Sequence, residues 1–224
     1  KHGSTLLKQS GGSACNSVVA AAQLGSKTYF GGKVANDNDG RLYADDLTQA
    51  GVSHAFSPAD QGVTGKCLVM VTSDAERTMN TYLGVSDEFA ETEINQSALA
   101  SSDWFYVEGY LQTDDHRTAV VKSAVEFAKQ QGVKVGLSLS DPFVAQLFAD
   151  NLKSVIGDGV DLIFCNKDEA LAFTGADTIE QAAETLKPYT KTFVITDGAN
   201  GATVFDGDIL HQVPGVKAKA IDTN

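Results

Sequence analysis

Apolar and polar positions along the chain alternate between helical and extended patterns. The small apolar run Ser17-Val18-Val19-Ala20-Ala21-Ala22-Gln23-Leu24 predicts a helix that Gly25 stops, and Arg41 to Ala50 predicts a second, ended by Gly51. Between them Thr28-Tyr29-Phe30 reads as a short strand, and the polar turn Asn36-Asp37-Asn38-Asp39-Gly40 offers Asn38 or Asp39 as a helix cap. From Val63 to Tyr82 the pattern turns extended. Lys66 to Val71 and the more polar Arg77 to Tyr82 flank a turn at Ser73 to Glu76, which predicts a β-hairpin over 62–82, either a lid or an edge ribbon.

Beyond Ser101 strands and helices follow one another regularly. Strands are predicted at Trp104 to Val107, Val133 to Leu139, Asp161 to Cys165 and Thr192 to Ile195, with a hairpin-like stretch from Ala202 to Val213. Helices are predicted at Asp114 to Gln131, Pro142 to Ile156, Glu169 to Phe173 and Ile179 to Leu186. This order predicts an α/β fold with a mostly parallel sheet flanked by helices. The main domain comprises 1–61 and 83–224, with 62–82 appended to it as a small β lid.

Mostly parallel sheets bind ligands at the carboxyl ends of their strands. That rule selects Glu108-Gly109, Asp141-Pro142, Asn166-Lys167-Asp168-Glu169 and Thr196-Asp197-Gly198-Ala199-Asn200-Gly201. Glu108 at such an end could accept from a ligand hydroxyl, or serve only as a helix cap or surface charge. Asn166 and Glu169, three apart, also fit ordinary helix-start capping. The Gly11-Gly12 loop opens the first helix, where free N–H groups and the helix dipole favour oxygen-rich ligands, and Asn16 adds a donor and an acceptor. A glycine turn before a buried helix is the plainer reading of the same residues.

Composition narrows the partners. A formal charge of −12 over 224 residues argues against nucleic acid or an anionic membrane, since phosphate backbones are held by clustered Lys and Arg. No run approaches the roughly 18 apolar residues of a membrane span, and Lys1-His2-Gly3-Ser4 has no signal-peptide pattern. Cys15, Cys67 and Cys165 are odd in number and widely spaced, so they read as reduced core thiols of a cytoplasmic protein. The acidic turn at 36–40 lacks the ligand positions of a calcium loop. No Gly-x-Gly-x-x-Gly follows a strand, and neither a P-loop nor a Gly-x-Ser-x-Gly elbow is present.

Taken in order, several motifs resemble those of the ribokinase-like (PfkB) carbohydrate kinases. Gly11-Gly12-x3-Asn16, Leu24-Gly25, the turn ending at Gly40 and Ala50-Gly51-Val52 resemble the family's first signature. Thr64-Gly65 and Glu76-Arg77-Thr78 resemble its lid strands, Asn166-x-x-Glu169 its Asn-x-x-Glu motif, and Thr196-x-Gly198-x-x-Gly201 its nucleotide loop. Tyr82-Leu83-Gly84 and Glu108-Gly109-Tyr110 look nearer to its adenosine kinases.

The resemblance implies transfer of the ATP γ-phosphoryl group to the hydroxymethyl group of a sugar or nucleoside. It places Gly11, Gly12, Asn16 and Glu108 on the acceptor, and Asn166, Thr196, Gly198 and Gly201 on the nucleotide. Glu169 is placed at Mg2+, directly or through water, and Asp222 at the monovalent cation, K+, of some members. It also implies a first strand before Lys1 and a Gly-Ala-Gly-Asp motif with the catalytic base after Asn224, so the sequence reads as an excerpt of a longer protein. The hairpin could pair with that of a second copy. A non-catalytic binding or regulatory protein of the same fold is the alternative. A dehydratase on this fold is disfavoured by Gly-Gly-x3-Asn.

Overall fold

The computed structural model describes residues 7–72 and 77–217, so Glu76 and Asp222 lie outside the described residues. The chain forms two compact units, Lys1–Asn95 and Gln96–Asn224.

In the first unit α1 (Ser13–Gln23), β1 (Thr28–Phe30), α2 (Asn38–Gln49) and β2 (Val52–His54) form a small α/β layer, with β1 and β2 paired in parallel from Thr28 opposite Val52. Cys15, Leu47 and Val52 are its buried centre, and Val18, Val19, Phe30, Tyr43 and Phe56 pack on them. The strand β2 escapes sequence reading because three residues are too few to show a period. The helix α2 begins earlier than predicted, capped by Asp37 instead of Asn38 or Asp39. The Asp37 carboxylate accepts from Gly40 N (2.7 Å), Thr64 N (2.9 Å) and Thr64 Oγ1 (2.7 Å), a set that neither neighbour satisfies. Asp39 instead pairs with Lys8 and Lys66.

Strands β3 (Lys66–Val71) and β4 (Arg77–Tyr82) pair antiparallel as a separate two-stranded sheet, exposed along both strands. Cys67 is therefore an exposed thiol, which corrects its assignment to the core, whereas Cys15 and Cys165 are buried. Short 3-10 turns at Gly84–Glu88 and Glu91–Glu93 follow the hairpin.

The second unit contains α3 (Gln96–Ala100), β5 (Trp104–Glu108), α4 (Asp115–Gln130), β6 (Lys134–Ser138), α5 (Pro142–Leu147), α6 (Ala149–Ile156) and β7 (Val160–Asn166). It continues with α7 (Lys167–Thr174), α8 (Ile179–Leu186), β8 (Thr190–Thr196), β9 (Ala202–Phe205) and β10 (Leu210–Val213). Its sheet runs in the order β10-β9-β8-β7-β6-β5, parallel from β5 to β8 and antiparallel from β8 to β10. Three consecutive buried residues in β6, Val135, Gly136 and Leu137, show that both sheet faces are covered there. The single helix predicted over 142–156 is broken at Phe148, whose φ of −114° and ψ of 25° interrupt the helix. The break lets α5 pack on α7 while α6 packs on α4, two directions that one straight helix could not serve.

Candidate functional site

Because β5 to β8 run parallel, their carboxyl ends share one edge of the sheet, and four of the predicted stretches lie on it. Glu108 ends β5 and is only 6% exposed. The Tyr106 hydroxyl, two residues back on the same strand face, donates to its Oε1 (3.0 Å), and Ser140 Oγ donates to its Oε2 (2.8 Å). Ser140 Oγ in turn accepts the Gly109 N–H (2.7 Å). Glu108 makes no cap bond, so it is neither the helix cap nor the surface charge that its position alone allowed. Sequence reading missed Tyr106 and Ser140, although the period of two on a strand could have indicated Tyr106.

Asp141, next in the chain, caps α5 by accepting the Phe143 N–H (2.8 Å), and the Phe143 ring stays exposed. At the end of β7, Asn166 and Glu169 make both halves of a capping box. Asn166 Oδ1 accepts Glu169 N (2.9 Å), while Asn166 N and Nδ2 donate to the two Glu169 oxygens (3.0 and 2.7 Å). Capping is thus real, and it also fixes the rotamer of a nearly buried carboxylate.

Burial pushes the Glu169 carboxyl above its ordinary range. The Asn166 N–H opposes this, and the charges of Asp141, Glu108 and Asp168 add to it. Burial, with Asp141, Glu108 and Glu169, raises the Tyr110 phenol in the same way. Glu108, Asp141 and Glu169, which follow adjacent strands, therefore act by their charges on the same neighbouring groups.

All their donor atoms are oxygens, which suits a hard cation such as Mg2+. Among the described residues no three His, Cys, Asp or Glu side chains converge closely enough to cage a metal unaided. A cation held here would draw on further oxygens, as Mg2+ does with water and phosphates.

Thr196 closes β8 and its hydroxyl lies 3.5 Å from the Cys165 carbonyl. The loop after it folds on itself, with Asp197 N bonded to Gly201 O (2.8 Å). Gly198 has φ 52° and open space where a Cβ would stand, leaving bare backbone for a ligand. Gly201 has a different reason to be glycine: at φ 100° its Cβ would lie 2.0 Å from the Val213 carbonyl oxygen.

The first unit carries the other candidates. Gly12, at φ 98°, caps α1 with no side chain, so the opening N–H groups of the helix are not covered by a cap. Gly11 and Asn16 are exposed, and an added Cβ at Gly11 or Gly12 would meet nothing within 4 Å. The loop is nevertheless anchored. Tyr43 Oη donates to Gly11 O (3.0 Å) and Asp46 accepts Ser10 N (2.7 Å), both from α2. Asn16 does not serve the core, which takes Cys15 beside it.

The family model described as pfkB family carbohydrate kinase matches residues 1–224. Among curated relatives, Fructokinase-1 of Zea mays is 27% identical over 229 residues, covering 97% of this chain and 70% of the relative. The crystal structure of adenosine kinase from Sinorhizobium meliloti superposes with a TM-score of 0.88 at 30% identity, covering 95% of this chain and 65% of that one. A probable sugar kinase from Rhizobium etli CFN 42 gives the same TM-score and identity, with 94% and 64% covered. The chain thus spans about two thirds of the length of these structures.

Proposed function

Because the chain belongs to the pfkB family of carbohydrate kinases, we propose that the protein is an ATP-dependent phosphotransferase acting on the hydroxymethyl group of a sugar or nucleoside. The observation that carries this reading is the shared edge of β5 to β8. There Glu169, its carboxylate held by Asn166, lies on the same strand ends as the glycine loop after Thr196.

Phosphoryl transfer needs positioning and charge neutralisation more than covalent chemistry. Mg2+, when bound with ATP, supplies the positive charge that offsets the phosphates. Glu169 would hold it, directly or through water, with its carboxylate kept in place by Asn166. Thr196, Gly198 and Gly201 would receive the nucleotide, with Gly198 allowing the closest backbone approach. Gly11, Gly12 and Asn16 would bind acceptor hydroxyls at the open start of α1, and Glu108 would accept from another hydroxyl.

Of the two acceptor classes, similarity to an adenosine kinase structure supports a nucleoside, and the fructokinase relatives support a sugar.

The test is a phosphate-acceptor screen of the full-length protein over ribose, fructose, adenosine, inosine and guanosine with ATP and Mg2+. Turnover on a member of the panel, abolished by chelation, is expected. Binding of an acceptor without turnover would favour the non-catalytic alternative, and neither binding nor turnover would overturn the acceptor class.

A further inference from the structure

Ser140 is the only non-glycine with a positive φ among the described residues, at 70°. Serine gains nothing from that left-handed conformation, which glycine would adopt without strain, so its side chain has to account for its presence. That side chain makes one connected set of bonds. Its hydroxyl donates to Glu108 Oε2 (2.8 Å) and accepts the Gly109 N–H (2.7 Å), and its own N–H is held by Ser138 Oγ (3.1 Å).

The backbone around it is equally constrained. Asp141 N bonds Leu139 O (2.9 Å), and a Cβ at Gly109 would lie 2.8 Å from that same carbonyl oxygen. The β5–β6 register places Glu108 opposite Ser138, so the chain must turn sharply within two residues to bring Ser140 back to the carboxylate.

We propose that Ser140 is a positioning residue, held in a strained turn so that its hydroxyl fixes the rotamer of Glu108 for the acceptor. Tyr106 holds the other carboxylate oxygen, and together they leave the carboxylate with one orientation while keeping lone pairs free for a ligand hydroxyl. The inference rests on the reading of Glu108 as an acceptor ligand.

Two variants separate the hydroxyl from the strain. Ser140→Gly removes the hydroxyl and relieves the left-handed backbone, whereas Ser140→Ala removes the hydroxyl and keeps the strain. In the full-length protein, both are expected to raise the acceptor KM by roughly three- to tenfold, less than the direct loss of a bond to a charged group because Tyr106 still holds the other carboxylate oxygen. The ATP KM should not move. The thermal midpoint of Ser140→Gly should exceed that of Ser140→Ala, since only glycine relieves the left-handed backbone, so an equal KM rise in both variants traces to the lost hydroxyl and not to backbone strain.

Glu108→Gln is measured beside them. If it leaves the acceptor KM unchanged, Glu108 is not an acceptor ligand, and the proposal falls with that reading. If it raises the acceptor KM while Ser140→Gly does not, the reading of Glu108 stands and the positioning role of Ser140 is refuted.

Discussion

At the scale of single residues, Asp37 shows how one carboxylate joins segments distant in sequence. Partial burial alone would push its acid upward. The Thr64 main-chain and side-chain donors, the Gly40 N–H and the Lys66 charge outweigh this and hold it at about 2, against an ordinary 3.8. The folded state therefore favours the charged form, so this contribution to stability is fully present above pH 3.8 and is lost as pH falls toward 2. Asp37→Asn should cost about 1–3 kcal/mol at neutral pH, because one amide oxygen cannot accept all three bonds. It should also flatten the acid limb of a urea-midpoint against pH profile, and an unchanged limb would show that Asp37 does not carry it. Asn16→Ala is expected to behave in the opposite way. An exposed side chain outside the core should leave the thermal midpoint nearly unchanged while kcat/KM for the acceptor falls by about 1–3 kcal/mol equivalent. An unchanged kcat/KM would remove Asn16 from the acceptor site. The candidate at Asn16 was legible because glycines and a helix start adjoin it in sequence. The bond from Ser140 to Glu108 was not, because it spans 32 residues and exists only through the β5–β6 register.

At the scale of elements, strong periodicity fixed what could be read and tertiary packing decided the rest. Both hairpin strands fall where the extended pattern on either side of the predicted turn placed them, and α8 and the strand cores of the larger sheet follow their apolar runs. The break between α5 and α6 could not be read, since each half is a good helix alone and only the differing partners α7 and α4 separate them. The attachment of the hairpin depends on close backbone approach. Gly84 has φ 53° and a Cβ there would stand 2.2 Å from Val63 O, while one at Gly65 would stand 2.6 Å from Leu83 O. Gly84→Ala should thus destabilise the chain by about 1–3 kcal/mol, combining left-handed strain with a backbone clash. Urea unfolding measures it directly, and a parent-like midpoint would mean that the two crossing segments can separate at little cost.

At the scale of the whole molecule, the residues assigned to the nucleotide and those assigned to the acceptor by the first helix belong to different compact units. Asn166, Glu169 and the 196–201 loop lie in the second unit, on the carboxyl edge of its sheet, and Gly11, Gly12 and Asn16 lie in the first. Such a division predicts separable footprints. Hydrogen exchange of the full-length protein with MgATP alone should slow at amides 166–170 and 198–201, where capping bonds and loop backbone would be held by the ligand. Acceptor alone should slow exchange at 12–17, the open start of α1. At about 100 times its Kd, each ligand should stabilise the protein by about 2.7 kcal/mol if it binds only the folded state. The pH dependence of the first footprint follows from Glu169. Its raised acid must lose a proton before it can hold a cation, so the protection by MgATP should weaken as pH falls through that raised value. Protection by MgATP concentrated at 12–17, with 166–170 and 198–201 exchanging at their free rates, would reverse the assignment of the two ends.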